Sequence, residues 1–131
     1  LKGEGAAAVA DGARVVIGLG FSGFGYRDDA VFAGVVAHEL AHNVLGHADW
    51  TRRNGRAPRA IRLIEREADR LMPWLLANAG WPPEAAVTFM NTWGRAHDAR
   101  ILRLRTRDAW DERAKHIAAE IPAIKALMAR E

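Results

Sequence analysis

The residues best suited to chemistry lie in one short run of the chain, "AHELAH", from residue 37 to residue 42. His38, Glu39 and His42 match H-E-x-x-H, a pattern that binds zinc on one face of a helix. At about 100° per residue the two histidines stand about 40° apart, so both imidazoles can reach one ion. Glu39 stands about 100° from His38, beside the ion, where a base for water activation belongs. The run therefore predicts metal-assisted hydrolysis.

The helical wheel places both histidines on an apolar face. The surrounding residues, within about 60°, are small or aliphatic: Val31, Gly34, Val35, Ala41 and Leu45. Imidazoles in such a setting need either a metal or separate hydrogen-bond partners. A shared metal is the simpler interpretation, and ordinary buried histidines are the alternative.

A hydrolytic zinc needs a third protein ligand. Zinc enzymes with a Met-turn take it from a histidine six residues after the second one, with glycine at the third position. Here those places hold Ala48 and Leu45, and Gly46 and His47 are one step out of register. We reject that class and interpret His47 as a histidine at a helix end or in a loop.

The second predicted helix carries "EREAD", residues 65–69, and its wheel separates the two glutamates. Glu65 falls about 40° from Ile61, inside the apolar arc, whereas Glu67 falls about 120° away on the other side. A carboxylate in a buried sector is costly unless it is paired or metal-bound, so Glu65 is the predicted third ligand. Asp69, one turn on, can accept the outer N–H of a ligand imidazole. The alternative is a solvated face paired with neighbouring arginines.

The hydrophobic pattern predicts elements that present these residues. We expect a strand over residues 13–21, a helix over 30–45 capped by Asp28 or Asp29, and a loop over 47–58. A second helix is expected over 59–79, with a kink or an early stop near Met72 because Pro73 interrupts it. A third helix is expected from near Pro83 to residue 97.

The last third of the chain, residues 98–131, has helical propensity. Its apolar residues recur at intervals of four, three and four and predict one buried stripe: Ile117, Ile121, Ile124 and Met128. Five tryptophans are expected to fill the core rather than to form a ligand cage. At 131 residues the chain is predicted to be a single domain, 1–131.

Composition limits the partners. The absence of cysteine excludes disulfides, thiolate nucleophiles and sulfur-ligated zinc. Seven of the sixteen arginines lie between Arg52 and Arg70, where they form either a phosphate-binding face or a solvated helix flank. The first residue is Leu and no apolar run reaches about 18 residues, so we expect a processed or cut N-terminus, no signal peptide and no membrane span.

The order of these motifs resembles the gluzincin peptidase family of HtpX and the CAAX prenyl protease. The resemblance rests on a glycine-led strand (12–19), the "AHELAH" helix, the E-x-x-x-D run and the stretch "NAGWPPEAAVTF". It implies a mainly α, zincin-like domain with a small β element, an active-site helix, a second ligand-bearing helix and an edge strand. His38, His42 and Glu65 would bind one Zn²⁺ per chain, Glu39 would be the base, and Asp69 the outer carboxylate.

The resemblance also implies a function. The expected activity is endoproteolysis of extended or misfolded polypeptides, paired along the edge strand formed by Val15, Val16, Ile17, Gly18 and Leu19. Where the family has a His-Pro pair, this chain has Arg107, so Arg107 or Arg113 could stabilise the oxyanion. A structural salt bridge is the alternative for either arginine. The family's transmembrane helices are absent, which indicates a soluble member or an excised catalytic domain, with an exported or periplasmic location favoured.

Two other functions stay open at this point. One is an arginine-rich, nucleic-acid-associated protein, which would show binding that weakens steeply with salt. The other is a zinc-retaining but inactive module that binds peptides. The sequence gives no oligomeric state.

Overall fold

The computed structural model describes residues 8–17, 28–96 and 108–130. Within them the chain is mainly helical, as predicted, with two short strands. In chain order the elements are β1 (Ala8–Ala10), β2 (Val15–Ile17), α1 (Asp29–Val44), α2 (His47–Asn54), α3 (Pro58–Asn78), α4 (Ala85–Phe89), a π-helical turn (Met90–Gly94) and α5 (Trp110–Met128).

The two strands form an antiparallel hairpin in which Val9 pairs with Val16. Asp11 closes the turn: its Oδ1 accepts from the backbone N–H of Ala13 at 2.9 Å and of Arg14 at 2.6 Å. These two backbone donors, together with the Arg14 side chain, lower the pKa of Asp11 to about 2. The strand predicted over residues 13–21 is confirmed for 15–17, and 18–21 lie outside the described residues.

Helix α1 begins where the sequence predicts. The Oδ1 atom of Asp28 accepts from the backbone N–H of Ala30 at 2.9 Å and of Val31 at 3.2 Å, which caps two of the free donors of the first turn. The helix ends at Val44, one residue before the predicted end. Gly46 follows with φ of 71°, a left-handed conformation that glycine adopts without strain.

The loop predicted over residues 47–58 is wrong, because α2 occupies His47–Asn54. The carbonyl of Gly46 accepts from the backbone N–H of Trp50 at 3.0 Å, so the same glycine that ends α1 begins the next helix. The helix predicted over residues 59–79 is confirmed, and of the two alternatives given for Pro73, a kink or an early stop, the early stop is wrong. Helix α3 continues through Pro73, which is buried, to Asn78. Its apolar face continues on both sides of the proline, and that burial offsets the lost hydrogen bond.

Helices α4 and α5 complete the fold. The third predicted helix is split, since α4 ends at Phe89 and a π-helical turn follows it. Of the predicted stripe on α5, Ile117 and Ile124 are buried, Ile121 is half-buried and Met128 is exposed. The last turn of α5 is therefore not covered by the core.

The core joins α1, α3, α4 and α5. Its largest fully buried side chains are Met72, Met90 and Ile117, one from each of α3, the π-helical turn and α5. All five tryptophans are at least partly exposed, although Trp93 and Trp110 pack against the core. Helix α1 packs against both α3 and α4, so the histidine face of α1 meets the Glu65 face of α3.

Candidate metal centre

Three side chains from two helices converge in the interior. Nε2 of His38 lies 3.2 Å from Nε2 of His42. The carboxylate of Glu65 faces both rings, with Oε1 3.3 Å from Nε2 of His38 and Oε2 2.9 Å from Nε2 of His42. The exposed fractions of the three side chains are 6%, 11% and 8%. The three residues are buried and close enough to hold a metal ion.

The spacing of these atoms fits a small cation. Bonds of roughly 2.0–2.1 Å in a tetrahedral site place ligand atoms about 3.3 Å apart. The observed separations of 2.9 to 3.3 Å are close to that value. Both histidines offer the same nitrogen, Nε2, so their Nδ1 atoms are left for outer partners. The donor set is two nitrogens and one carboxylate, without sulfur.

The secondary structure explains the convergence. His38 and His42 are one turn apart on α1, and their rings meet edge to face with centroids 4.7 Å apart. Glu65 lies on the buried face of α3 between Ile64 and Ala68, where a carboxylate needs a partner. Phe89 of α4 stacks on the His38 ring at 6.3 Å. This packing leaves the imidazole of His38 little freedom.

A second carboxylate lies behind His38. Oδ1 of Asp69 is 3.4 Å from Nδ1 of His38, and that nitrogen has no hydrogen-bond partner among the described residues. The two atoms are therefore in electrostatic contact without a formed hydrogen bond. Arg113 of α5 holds Asp69 with two bonds of 2.7 Å, from Nε to Oδ2 and from Nη2 to Oδ1. Nη2 of Arg113 also lies 3.6 Å from Oε1 of Glu65.

The charges of this cluster favour a bound cation. Two carboxylates, Glu65 and Asp69, face one guanidinium, Arg113, so neutral histidines would leave a net negative charge in the interior. Burial lowers the pKa of His38, but the carboxylates of Glu65 and Asp69 outweigh burial and raise it to about 9. For Asp69 the effects are opposite in sign. Burial raises the pKa of this carboxyl group, but Arg113 and the nearby His38 outweigh burial and lower the pKa below its usual value. A proton on His38 or a metal ion can supply the missing positive charge.

A second set of side chains lies behind His42. Nδ1 of His42 is 2.8 Å from Nδ1 of His47, and Nε2 of His47 is 2.8 Å from Oε1 of Glu67. His47 is buried, and burial lowers its pKa. The prediction placed His47 at a helix end, and it is the first residue of α2. Sequence reasoning missed its contact with His42, for which the only signal was a third histidine five residues further along.

The remaining predicted site residues have the following positions. Glu39 is half-buried on α1, next to His38 in the chain. Val15 to Ile17 form β2, while Gly18, Leu19 and Arg107 lie outside the described residues. Arg113 is buried with its guanidinium on Asp69, an arrangement that matches the salt-bridge alternative considered for it.

The arginine-rich segment lies mainly on the surface. Six of its seven arginines are exposed and Arg62 is half-buried. Arg52 and Arg53 both pair with Asp49, and Arg66 forms two bonds with Asp108 across to the start of α5. Among the described residues, no helix combines the length and the apolar character needed to cross a membrane.

Comparisons with protein-family models, with curated proteins and with solved structures gave no match to this chain. The case for a function therefore rests on the geometry of the site.

Proposed function

We propose that this chain is a zinc-dependent endopeptidase with one metal ion per chain, built as a zincin-like domain of the gluzincin type. The observation that carries the proposal is the convergence of His38, His42 and Glu65 within 2.9 to 3.3 Å. A His₂Glu set is one that hydrolytic zinc enzymes use. The neighbouring Glu39 adds the acid–base group that hydrolysis requires.

In the proposed mechanism His38, His42 and Glu65 would hold the zinc ion, which would supply the Lewis acid that polarises the scissile carbonyl and acidifies a water molecule. Glu39 takes the proton of the attacking water and delivers it to the leaving amine. Asp69 faces the outer nitrogen of His38 and orients the ring, and Arg113 fixes Asp69. The burial of these groups keeps the ligands in one arrangement before substrate arrives.

Two histidines and a carboxylate can also hold iron, as in the facial triad of oxygenases. The glutamate directly after the first ligand histidine favours hydrolysis, because an oxygenase site has no need of a base at that place. Metal analysis of the purified chain separates the two: about one zinc per chain supports the proposal, and iron contradicts it.

The proposed substrate is an extended polypeptide. Hairpin β1–β2 is two-stranded within the described residues, and each strand pairs on one side only. A peptide in extended conformation can add to the outer edge of β2, with backbone hydrogen bonds supplying affinity irrespective of side chains. Such recognition suits unfolded proteins, whose backbone is accessible.

The test is digestion of an unfolded protein by the zinc-loaded chain and by its Glu39→Gln variant. The variant is expected to keep its zinc and to lose about 10²- to 10⁴-fold in rate, because the proton acceptor is removed while the ligands stay. Glu112→Gln, an exposed change on α5, is the matched control and should retain full activity. Full activity of Glu39→Gln would contradict the proposed mechanism. Stoichiometric zinc without turnover in the unaltered chain would favour an inactive peptide-binding module.

A further inference from the structure

The side chains behind His42 form a continuous chain of contacts from the interior to the surface. His42 and His47 meet through their Nδ1 atoms at 2.8 Å, and His47 meets Glu67 at 2.8 Å. The exposed fraction of the side chain is 5% for His47 and 51% for Glu67. We propose that His47 and Glu67 are positioning residues that hold His42 in the form and orientation needed to bind the metal. This inference rests on the proposed metal site.

The geometry allows one arrangement of protons once His42 binds a cation. A metal ligand must present the lone pair of Nε2, so the neutral ring of His42 carries its proton on Nδ1. That N–H points at Nδ1 of His47, which must then be the acceptor. The proton of neutral His47 is consequently on Nε2, where it donates to Oε1 of Glu67. Each donor in the chain meets an acceptor, and the terminal carboxylate is the only charged member.

The backbone explains how His47 reaches this place. Gly46, in its left-handed conformation, lies between the end of α1 and the start of α2, and the first residue of α2 contacts His42 in the last turn of α1. The rings of His42 and His47 then meet with centroids 5.0 Å apart. His47 is buried, and a buried imidazole without partners would be destabilising. Its two partners are a predicted ligand and an acidic residue of α3.

The two proposed ligand histidines thus have different partners on their outer nitrogens. Asp69, behind His38, has an exposed side-chain fraction of 2% and is held by Arg113. The support of His42 passes through a neutral ring to Glu67, whose carboxylate is half in water. The charge of Glu67 is therefore screened by solvent, and the hydrogen bond from His42 to His47 is expected to matter more than the charge at the end of the chain.

The experiment measures zinc affinity by competition with a chromophoric chelator, together with the d–d absorption of the cobalt-substituted protein. His47→Leu removes the acceptor, leaves the Nδ1–H of His42 buried without a partner and is expected to weaken zinc binding about 10- to 100-fold. His47→Asn places an amide oxygen near the former Nδ1 and should recover most of that loss. Glu67→Gln should weaken binding less than His47→Leu, and Glu112→Gln is the exposed control.

A direct readout of the contact comes from ¹⁵N-labelled, zinc-loaded protein. An N–H···N hydrogen bond transmits a scalar coupling between its two nitrogens, so Nδ1 of His42 and Nδ1 of His47 should be coupled in the unaltered chain and in Glu67→Gln. This signal does not depend on whether His47→Leu folds. The recovery of zinc affinity in His47→Asn is a second specific readout, because it would not be expected if His47 served only to stabilise the fold.

The outcomes separate the two proposals. Zinc binding by the unaltered chain without the coupling, or with equal affinity in a folded His47→Leu variant, would overturn this inference and leave the metal site intact. No zinc binding by the unaltered chain would remove the metal site and this inference with it. The coupling together with asparagine rescue would support the positioning role.

Discussion

Arg113 and Asp69 form a two-point ion pair between α5 and α3, with both nitrogen–oxygen distances at 2.7 Å. Their side-chain exposed fractions are 9% and 2%, so neither charge is solvated by bulk water. Because Asp69 also faces the outer nitrogen of His38, this pair connects the packing of α5 to the orientation of a predicted metal ligand. Residues 44 positions apart in the chain therefore support one side of the site.

Removal of one partner from this pair should destabilise the fold. Arg113→Met keeps most of the side-chain volume but leaves Asp69 buried with an uncompensated charge, and the expected loss in free energy of unfolding is about 3–5 kcal/mol. Urea denaturation of the metal-free protein measures it. Arg130→Met, an exposed change beyond the end of α5, is the control. A loss under about 1 kcal/mol for Arg113→Met would show that the ion pair does not hold α3 and α5 together.

Glu65 should be required for metal binding, whereas nearby acidic residues should not be. Glu65→Gln keeps the shape of the side chain but replaces the anionic donor with a weak amide ligand, so zinc affinity is expected to fall more than about 100-fold, beyond the loss typical of outer partners. Titration with a competing chelator measures the change, with Glu112→Gln as control. Stoichiometric zinc bound with unchanged affinity by Glu65→Gln would exclude Glu65 as a ligand.

The convergence of His38, His42 and Glu65 could be predicted because it depends on local periodicity. His38 and His42 are one helical turn apart, which fixes their relative direction as soon as α1 forms. The choice of Glu65 over Glu67 followed from the apolar arc of α3, and the structure buries Glu65 and exposes half of the Glu67 side chain. Which face of a helix is apolar is a local property of the sequence, so a helical wheel could identify Glu65 as the buried glutamate.

Other parts of the fold depend on contacts that no local pattern contains. Helix α2 follows a left-handed glycine, and its sequence has the polar, arginine-rich character of a loop. The position of the hairpin depends on Asn43 of α1, whose Oδ1 accepts from the backbone N–H of Gly12 at 2.7 Å and whose Nδ2 donates to the carbonyl of Arg14 at 3.1 Å. These pairings span about thirty residues, and an exposed-looking asparagine gives no sign of them.

The contact between His47 and Glu67 could not be predicted either, because it also depends on tertiary structure. The sequence predicts His47 at a helix end or in a loop and Glu67 on a solvated face; the structure makes His47 the first residue of α2 but buries it, and it exposes half of the Glu67 side chain. Their contact arises because α2 begins directly after the left-handed Gly46 and packs against α3. The sequence predicts where each residue lies along its helix, but the burial of His47 and its contact with Glu67 are properties of the tertiary structure.

The metal-free protein should lose stability as the pH rises. The carboxylates of Glu65 and Asp69 raise the pKa of His38 to about 9 in the folded chain, above its ordinary value of 6.5. A raised pKa stabilises the fold fully below pH 6.5, and the stabilisation is lost as the pH rises through 9. The expected loss is on the order of 3 kcal/mol, from 1.36 kcal/mol per pKa unit.

Urea denaturation at several pH values, with a chelator present, measures this loss. Zinc should remove most of the pH dependence over this range, because the ion replaces the proton as the positive charge in the cluster. The zinc-loaded protein is therefore the matched comparison. A flat profile of the metal-free protein between pH 6.5 and 9 would contradict the charge balance proposed for the site.

Gly34 should tolerate no side chain, because α1 and α4 approach closely there. A Cβ on Gly34 would overlap Cβ and Cγ of Phe89, and the overlap with Cβ stays in every rotamer because the backbone of α4 fixes that atom. Gly34→Ala should therefore destabilise the protein by about 1–3 kcal/mol through overpacking, against a gain in helix propensity of at most about 1 kcal/mol. Thermal and urea denaturation measure the balance.

The position of Phe89 extends this effect to the candidate metal site. Phe89 stacks on the ring of His38, so a shift of α4 away from α1 would release one side of that imidazole and weaken zinc binding along with stability. Gly94→Ala is the matched control: its added Cβ meets mainly the sulfur of Met90, the far part of a flexible side chain that can move aside. If Gly34→Ala were as stable as the control and bound zinc equally well, close packing of α1 on α4 could not be what holds His38 in place.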